Sequence, residues 1–185
     1  MTISAQTVYF ITHPDVVIDP TIPVPDWPLS PHGRLRMARA LTLPWMSGIR
    51  AVWCSTERKA LDGADILAAQ LRLPIATLAQ LGENDRSATG YLPPPEFEAV
   101  ATEFFTHPEQ SVRGWERAIE AQCRIVAAVD QVVSESRTCG GNVAIVSHGG
   151  VGTLLLCCLR DDPISRDHDQ PRNNGGNYFA FDATT

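Results

Sequence analysis

Apolar residues in this chain follow two rhythms. Thr7–Thr12 (TVYFIT), Ile49–Cys54 (IRAVWC) and Asn142–Ser147 (NVAIVS) are short, mostly β-branched or aromatic runs. Each predicts a buried strand. Leu73–Thr77 predicts a shorter strand, and Tyr178–Asp182 alternates enough to be a last one. Between them the spacing turns helical. Leu35, Ala38, Leu41 and Thr42 share one face from His32 onward, behind a Ser30-Pro31 pair suited to an N-cap and first helical position. Ser55-Thr56-Glu57 caps a helix carrying Ala60, Ala64, Leu67, Ala68 and Leu71. Glu96–Thr106 and Arg113–Ser136 predict amphipathic helices, the second with Ile119, Cys123, Val126, Val129 and Val133 on one face. His148-Gly149-Gly150 opens a helix rich in Leu and Cys, and the stretches 19–31 and 79–95 predict loops. This order calls for an α/β fold, a three-layer α/β/α arrangement with a mostly parallel central sheet. Residues 1–185 form one domain in this reading, with 84–114 as a short cap insertion.

Composition narrows the picture modestly. With 185 residues, 44% hydrophobic and 19% charged, the chain is globular and long enough for a proper core. A net charge of -6 argues against a nucleic-acid partner, which needs a basic stripe, but leaves room for a small anionic substrate in a local pocket. The five cysteines lack CxxC spacing, so zinc is not expected. Cys54, Cys157 and Cys158, in apolar runs, read as small buried hydrophobes of a reducing compartment. No signal-peptide pattern and no membrane-spanning run is present, so the expectation is a cytoplasmic protein without a membrane partner.

In open α/β sheets ligands bind beyond the carboxyl ends of the strands. There the first strand delivers His13 and the second delivers Ser55 and Arg58. The loop after the third carries Glu83, Asp85 and Arg86, and NVAIVS delivers His148. Singly, each has an ordinary reading: a hydrogen-bonded structural histidine, a solvated arginine, a solvated loop carboxylate. The SHGG turn is a stronger signal, because a glycine turn into a helix N-terminus is a ready anion site. Together, two histidines, an arginine and a carboxylate suit phosphoryl transfer through a phosphohistidine. Imidazole attacks phosphorus, cationic donors hold the equatorial oxygens, and a carboxylic acid protonates the leaving oxygen before activating water.

At this point four stretches resemble the histidine phosphatase superfamily, of phosphoglycerate mutase-like fold. VYFITHP is similar to the strand ending in Arg-His-Gly, and LSPHGRLRMARAL to the Leu-Ser/Thr-x-x-Gly helix entry. VWCSTERKALDGADIL is similar to Ser-x-x-x-Arg-Ala-x-x-Thr-Ala, and AIVSHGGVGTLL to the second-histidine motif. The resemblance implies His13 as nucleophile, Arg58 and His148 as phosphate clamps, and Glu83 as proton donor, with Asp85 as a rival for that place. Thr12, Ser55, Gly149 and Arg86 are expected as substrate-binding residues. It implies a small phosphorylated substrate and no cofactor or metal. A homodimer is carried as an open expectation.

The first motif departs from the pattern. Thr12 stands where arginine is expected and Pro14 where glycine is expected, and the usual following Asn is missing from DVVIDP. A bidentate cation and a backbone donor are lost from the anion cradle, leaving Arg34, Arg86 or Arg172 as candidates to refill it. The leading reading is a metal-independent phosphomonoesterase; 185 residues leave little room for the larger insertion of mutase members. A second reading keeps the fold as a weakened or inactive binder of a phosphorylated or anionic ligand. A third, a metallohydrolase using His13, Asp15, Glu83 and His148, lacks any HExxH-like pair. A serine hydrolase is set aside because Ile145 stands where a nucleophile elbow at Ser147 needs glycine.

Overall fold

A computed structural model describes residues 6–183. Five strands, β1 (Thr7–Thr12), β2 (Ile49–Cys54), β3 (Ile75–Thr77), β4 (Asn142–Ser147) and β5 (Tyr178–Asp182), form one sheet in the order β3-β2-β4-β1-β5. β4 pairs in parallel with both β1 and β2, β3 extends the sheet in parallel, and β5 closes the β1 edge antiparallel. β4 is central and buried on both faces, which is why it reads as an unbroken apolar run rather than an alternation.

The described residues form five α-helices, α1 (Pro31–Arg39), α2 (Arg58–Leu71), α3 (Pro94–Thr106), α4 (Ala118–Ser136) and α5 (Gly149–Leu159), and all but α3 pack on the sheet. On one face Met37, Ala60, Ala64 and Leu67 pack against Ile11, Val52 and Val146. On the other, Ile125, Val129, Val132, Val151 and Leu155 pack against Val8, Phe10 and Ile145. The three-layer α/β/α arrangement with a mostly parallel sheet is as expected. Within the 84–114 stretch, α3 supplies Val100, Phe104 and Phe105 to a third cluster with Trp115, Ala118, Ala121 and Leu154. Ser30 caps α1, its Oγ accepting the Gly33 N–H at 2.9 Å. Position 33 must be glycine, because a Cβ there would lie 2.2 Å from the Asp15 carbonyl oxygen.

Several expectations are corrected. α1 buries Gly33 and Met37, whereas Leu35 is 66% exposed. The packed face of α4 is Ala118, Ala121, Ile125, Ala128, Val129 and Val132, one position round from the expected stripe, and Cys123 is exposed. α4 starts at Ala118 rather than Arg113 because Arg113 and Gly114 both hold positive φ, which breaks a right-handed helix. α2 ends on a left-handed Arg72, so β3 begins at Ile75, after Pro74. Cys54 and Cys157 are buried, but Cys158 is exposed. None of the helices is long and apolar enough to cross a membrane among the described residues.

Candidate active site

The register of β1 on β4 sets Thr12 opposite Ser147, and the His13 N–H continues the ladder to the Ser147 carbonyl at 3.0 Å. His13 and His148 therefore leave adjacent strand ends side by side. Their ring centroids lie 5.2 Å apart at 69°. The His13 Nδ1 sits 2.9 Å from the Pro14 carbonyl oxygen. A carbonyl only accepts, so Nδ1 carries the proton and Nε2 keeps its lone pair. Burial pushes the His13 pKa below 6.5, against the opposing pull of that hydrogen bond, so the ring is neutral at neutral pH.

His148 is fully buried. Its Nε2 lies 2.7 Å from Ser55 Oγ and 3.3 Å from Glu57 Oε1, while its Nδ1 is buried without a hydrogen-bond partner. Burial drives the His148 pKa down to about 3 despite the nearby carboxylates. Ser55, at the end of β2, also accepts the Glu57 N–H at 3.3 Å. Its hydroxyl is thus engaged with both the His148 ring and the Glu57 amide.

Glu57 links the rest of the site. Its Oε1 accepts the Glu83 N–H at 2.8 Å, and its Oε2 lies 2.5 Å from Lys59 Nζ. Burial opposes its ionisation. His148, Lys59 and the Glu83 amide outweigh that effect and hold its pKa at about 2. Lys59 is 3% exposed and also donates to the Val24 carbonyl at 2.9 Å. Glu83 accepts the Gly150 and Val151 N–H groups at 3.1 and 2.9 Å, at the N-terminus of α5. Burial again opposes ionisation, but Arg86, His148 and the Gly150 amide keep the carboxyl below its usual value. A Cβ on Gly150 would come within 2.7 Å of Glu83 Oε1, so glycine there permits the contact. The innermost groups are two neutral imidazoles, two carboxylates and one ammonium.

The structure does not bring Arg58 to the histidines. Its side chain is 58% exposed and its Nε pairs with Asp62 at 2.9 Å; Asp62 also binds Arg34. The buried cation beside Glu57 is instead Lys59, one residue and about 100° further round α2. The spacing already held this answer: in Ser-x-x-x-Arg-Ala, counting from Ser55 lands on Lys59, followed by Ala60. Glu57 had no such signal. The Thr12 hydroxyl is taken up by the Asn177 backbone, donating to its carbonyl at 3.3 Å and accepting its N–H at 3.2 Å. Gly149 starts α5 with open space around it, its nearest would-be Cβ neighbour being Gln170 at 3.9 Å. Arg86 stacks over Phe97 and Trp115, 5.1 and 5.6 Å from their ring centroids. Asp85 faces Ser87 in the exposed loop. Arg34 and Arg172 are engaged with Asp62 and Glu98. Of the three proposed substitutes, Arg34 and Arg172 are held in these ion pairs, whereas Arg86 lines the cavity beside Glu83. Asp15 pairs with His32 at 2.7 Å, and no group of three or more His, Cys, Asp or Glu among the described residues is arranged to hold a metal ion. A cavity of about 600 Å³ opens over Glu57 and Glu83, walled by Pro23, Val24 and Arg86.

This pairing of strand-end histidines over a helix N-terminus defines a class, and comparison with known proteins agrees. The model of the histidine phosphatase superfamily (branch 1) matches residues 21–177, and the chain belongs to that superfamily. Comparison with curated proteins found no match. Among solved structures, Bacillus stearothermophilus YhfR shares 24% identity at a TM-score of 0.76, covering 95% of this chain and 90% of that one. The mycobacterial glucosyl-3-phosphoglycerate phosphatase shares 18% at 0.79, covering 95% and 89%. A putative alpha-ribazole-5'-P phosphatase from Escherichia coli shares 18% at 0.68, covering 97% and 91%. At these identities the likeness is one of fold.

Proposed function

We propose that this protein is a metal-independent phosphatase that hydrolyses a small phosphomonoester through phosphate carried on His13. The observation that carries this reading is the tautomer of His13. The Pro14 carbonyl holds the proton on Nδ1, leaving Nε2 free beside a second imidazole with an unsatisfied nitrogen. In the first step the Nε2 lone pair forms the N–P bond as the ester P–O bond breaks. In the second, water attacks phosphorus, the N–P bond breaks, and orthophosphate leaves.

His148 and Lys59 act on the phosphoryl group. Arrival of a dianion draws a proton onto His148. Nε2–H then faces Ser55 and Glu57 while Nδ1–H faces the phosphate, so Glu57 acts through His148 and Lys59 as a positioning residue. The same negative charge raises the affinity of Glu83 for a proton. Glu83 then protonates the leaving oxygen and afterwards takes a proton from water. Lys59 supplies a point charge where the family pattern has a bidentate guanidinium.

A specific observation favours a weakened version of this chemistry. With Thr12 turned to Asn177, the cations near the site are Lys59, shared with Glu57, and Arg86, which already acts on Glu83. The second reading, a binder of phosphorylated ligands without turnover, follows if those losses are complete. A screen of small phosphomonoesters decides, with His13→Ala as control and a parallel arm containing chelator. Slow turnover that survives chelator and vanishes in His13→Ala is expected. No turnover with retained orthophosphate binding would favour the binder. Activity that persists in His13→Ala would overturn the phosphohistidine route.

A further inference from the structure

A second concave surface lies behind the nucleophile's turn, where α1 meets the edge strand β5. It encloses about 310 Å³ between Arg36, Arg39, Trp45, Gly176 and Tyr178, with Ile11 at its base. Its lining contains two cations and no carboxylate, in a chain of net charge -6. Neither arginine has a side-chain hydrogen bond or ion pair among the described residues, in contrast to Arg34 and Arg58 nearby, which share Asp62. The Arg36 Nε is buried without a partner, and so is the Trp45 Nε1. A half-buried guanidinium with none of its donors used carries a desolvation cost that an anion would relieve.

The opposite wall is aromatic. Tyr9 and Trp45 stack at 4.1 Å and 10°, and Tyr178 tilts against Trp45 at 4.9 Å. Tyr178 remains 43% exposed. Arg36 and Arg39 lie one turn apart on α1 and offer forked donors toward the same space. Gly176 leaves room for Arg36 on the other side: a Cβ there would meet Arg36 Nε at 2.8 Å and Pro14 Cβ at 3.2 Å. Neither His13 nor His148 lines the groove, so the two sites are distinct.

We propose that this groove is a second ligand site for a small planar aromatic acid, a ring bearing one carboxylate or phosphate. The arginines take the acid group and the Trp45–Tyr178 wall takes the ring face. The inference does not depend on catalysis at His13.

Isothermal titration of the full chain with 2-naphthoate tests it, with 2-naphthol and orthophosphate as probes lacking the charge or the ring. Saturable 2-naphthoate binding is expected, unchanged in His13→Ala and weaker by on the order of tenfold in Arg39→Gln and in Arg36→Gln, since each removes charge-assisted hydrogen bonds. 2-Naphthol should bind more weakly by a similar factor, and Tyr178→Ser should weaken 2-naphthoate without affecting orthophosphate. Arg39 is exposed, so its variant tests the idea even if Arg36→Gln misfolds. Absence of saturable heat with 2-naphthoate overturns the proposal, as does binding unaltered by Arg39→Gln or lost in His13→Ala. It is equally overturned if sedimentation shows a dimer that Tyr178→Ser dissociates while 2-naphthoate fails to bind, because a second copy then fills the groove.

Discussion

Lys59→Met is the most informative single change, because it keeps the aliphatic stem and removes only the ammonium. Lys59 is 3% exposed, and its Nζ touches Glu57 Oε2 at 2.5 Å and the Val24 carbonyl at 2.9 Å. The variant leaves Glu57, itself 14% exposed at the side chain, with the Glu83 amide and a neutral His148. Breaking one side of a buried ion pair costs about 3–5 kcal/mol, a large fraction of a stability of about 5–15 kcal/mol. The cost is pH-dependent, with a definite sign. In the wild type the Glu57 pKa is depressed to about 2, so its contribution is present above the usual carboxylate range and lost as pH falls toward 2. In the variant less opposes the effect of burial, so Glu57 takes up a proton at a higher pH than in the wild type. Between those two values the variant binds more protons when folded than the wild type does. The penalty should therefore shrink as the pH is lowered from 7 toward 4. Lys59→Met with Glu57→Gln should recover most of the loss, since no buried charge is then left unpaired. Urea unfolding followed by tryptophan fluorescence at pH 7 and pH 5 measures all three proteins. A Lys59→Met penalty under about 1 kcal/mol, equal penalties at the two pH values, or a double variant no better than the single would refute the reasoning. Turnover should fall on the order of a hundredfold, the usual effect of losing one donor to the transferring group.

Three further outcomes follow from the site. Glu83→Gln should slow alkyl phosphates far more than nitrophenyl phosphate, while Asp85→Asn leaves both within about twofold; equal slowing of both substrates by Glu83→Gln removes it as proton donor. Arg58→Gln should change kcat/KM by less than about threefold, because its exposed guanidinium serves Asp62; a hundredfold loss would return it to the phosphate. Gly150→Ala should leave the protein folded but displace Glu83 from the α5 amides, matching the leaving-group dependence of Glu83→Gln, and unchanged alkyl phosphate turnover would show that this contact does not matter.

How far the site could be read from the chain depended on which physical constraint was at issue. Strand ends were legible because apolar runs stop abruptly at His13, Ser55 and His148, and parallel pairing on β4 then brings those residues together. Helix faces were harder. Leu35 and Ile119 looked like core positions by type, yet α1 and α4 present small residues such as Gly33, Ala118 and Ala121 to their neighbours, since close approach favours them. Arg58 drew attention by its chemistry, whereas the cation the fold buries is Lys59. Glu57 carried no motif at all. Its role comes from three partners contributed by α2, the loop after β3 and the start of α5, and no local pattern encodes such a meeting.

The place of β4 in the sheet also bears on how the chain reaches its native state. β1 and β2 are both made before β4 but do not pair with each other; each pairs with β4, Val8 facing Val143 and Val52 facing Ala144. Until β4 is available, both strands present unpaired, apolar edges, and the contacts that join them are far apart in sequence. Folding of the sheet is therefore gated by a segment made well after both of them. A growing chain that stalls before Asn142 is left with two adhesive edges and no shared neighbour, which makes such fragments the natural substrates of chaperones and the natural seeds of aggregation.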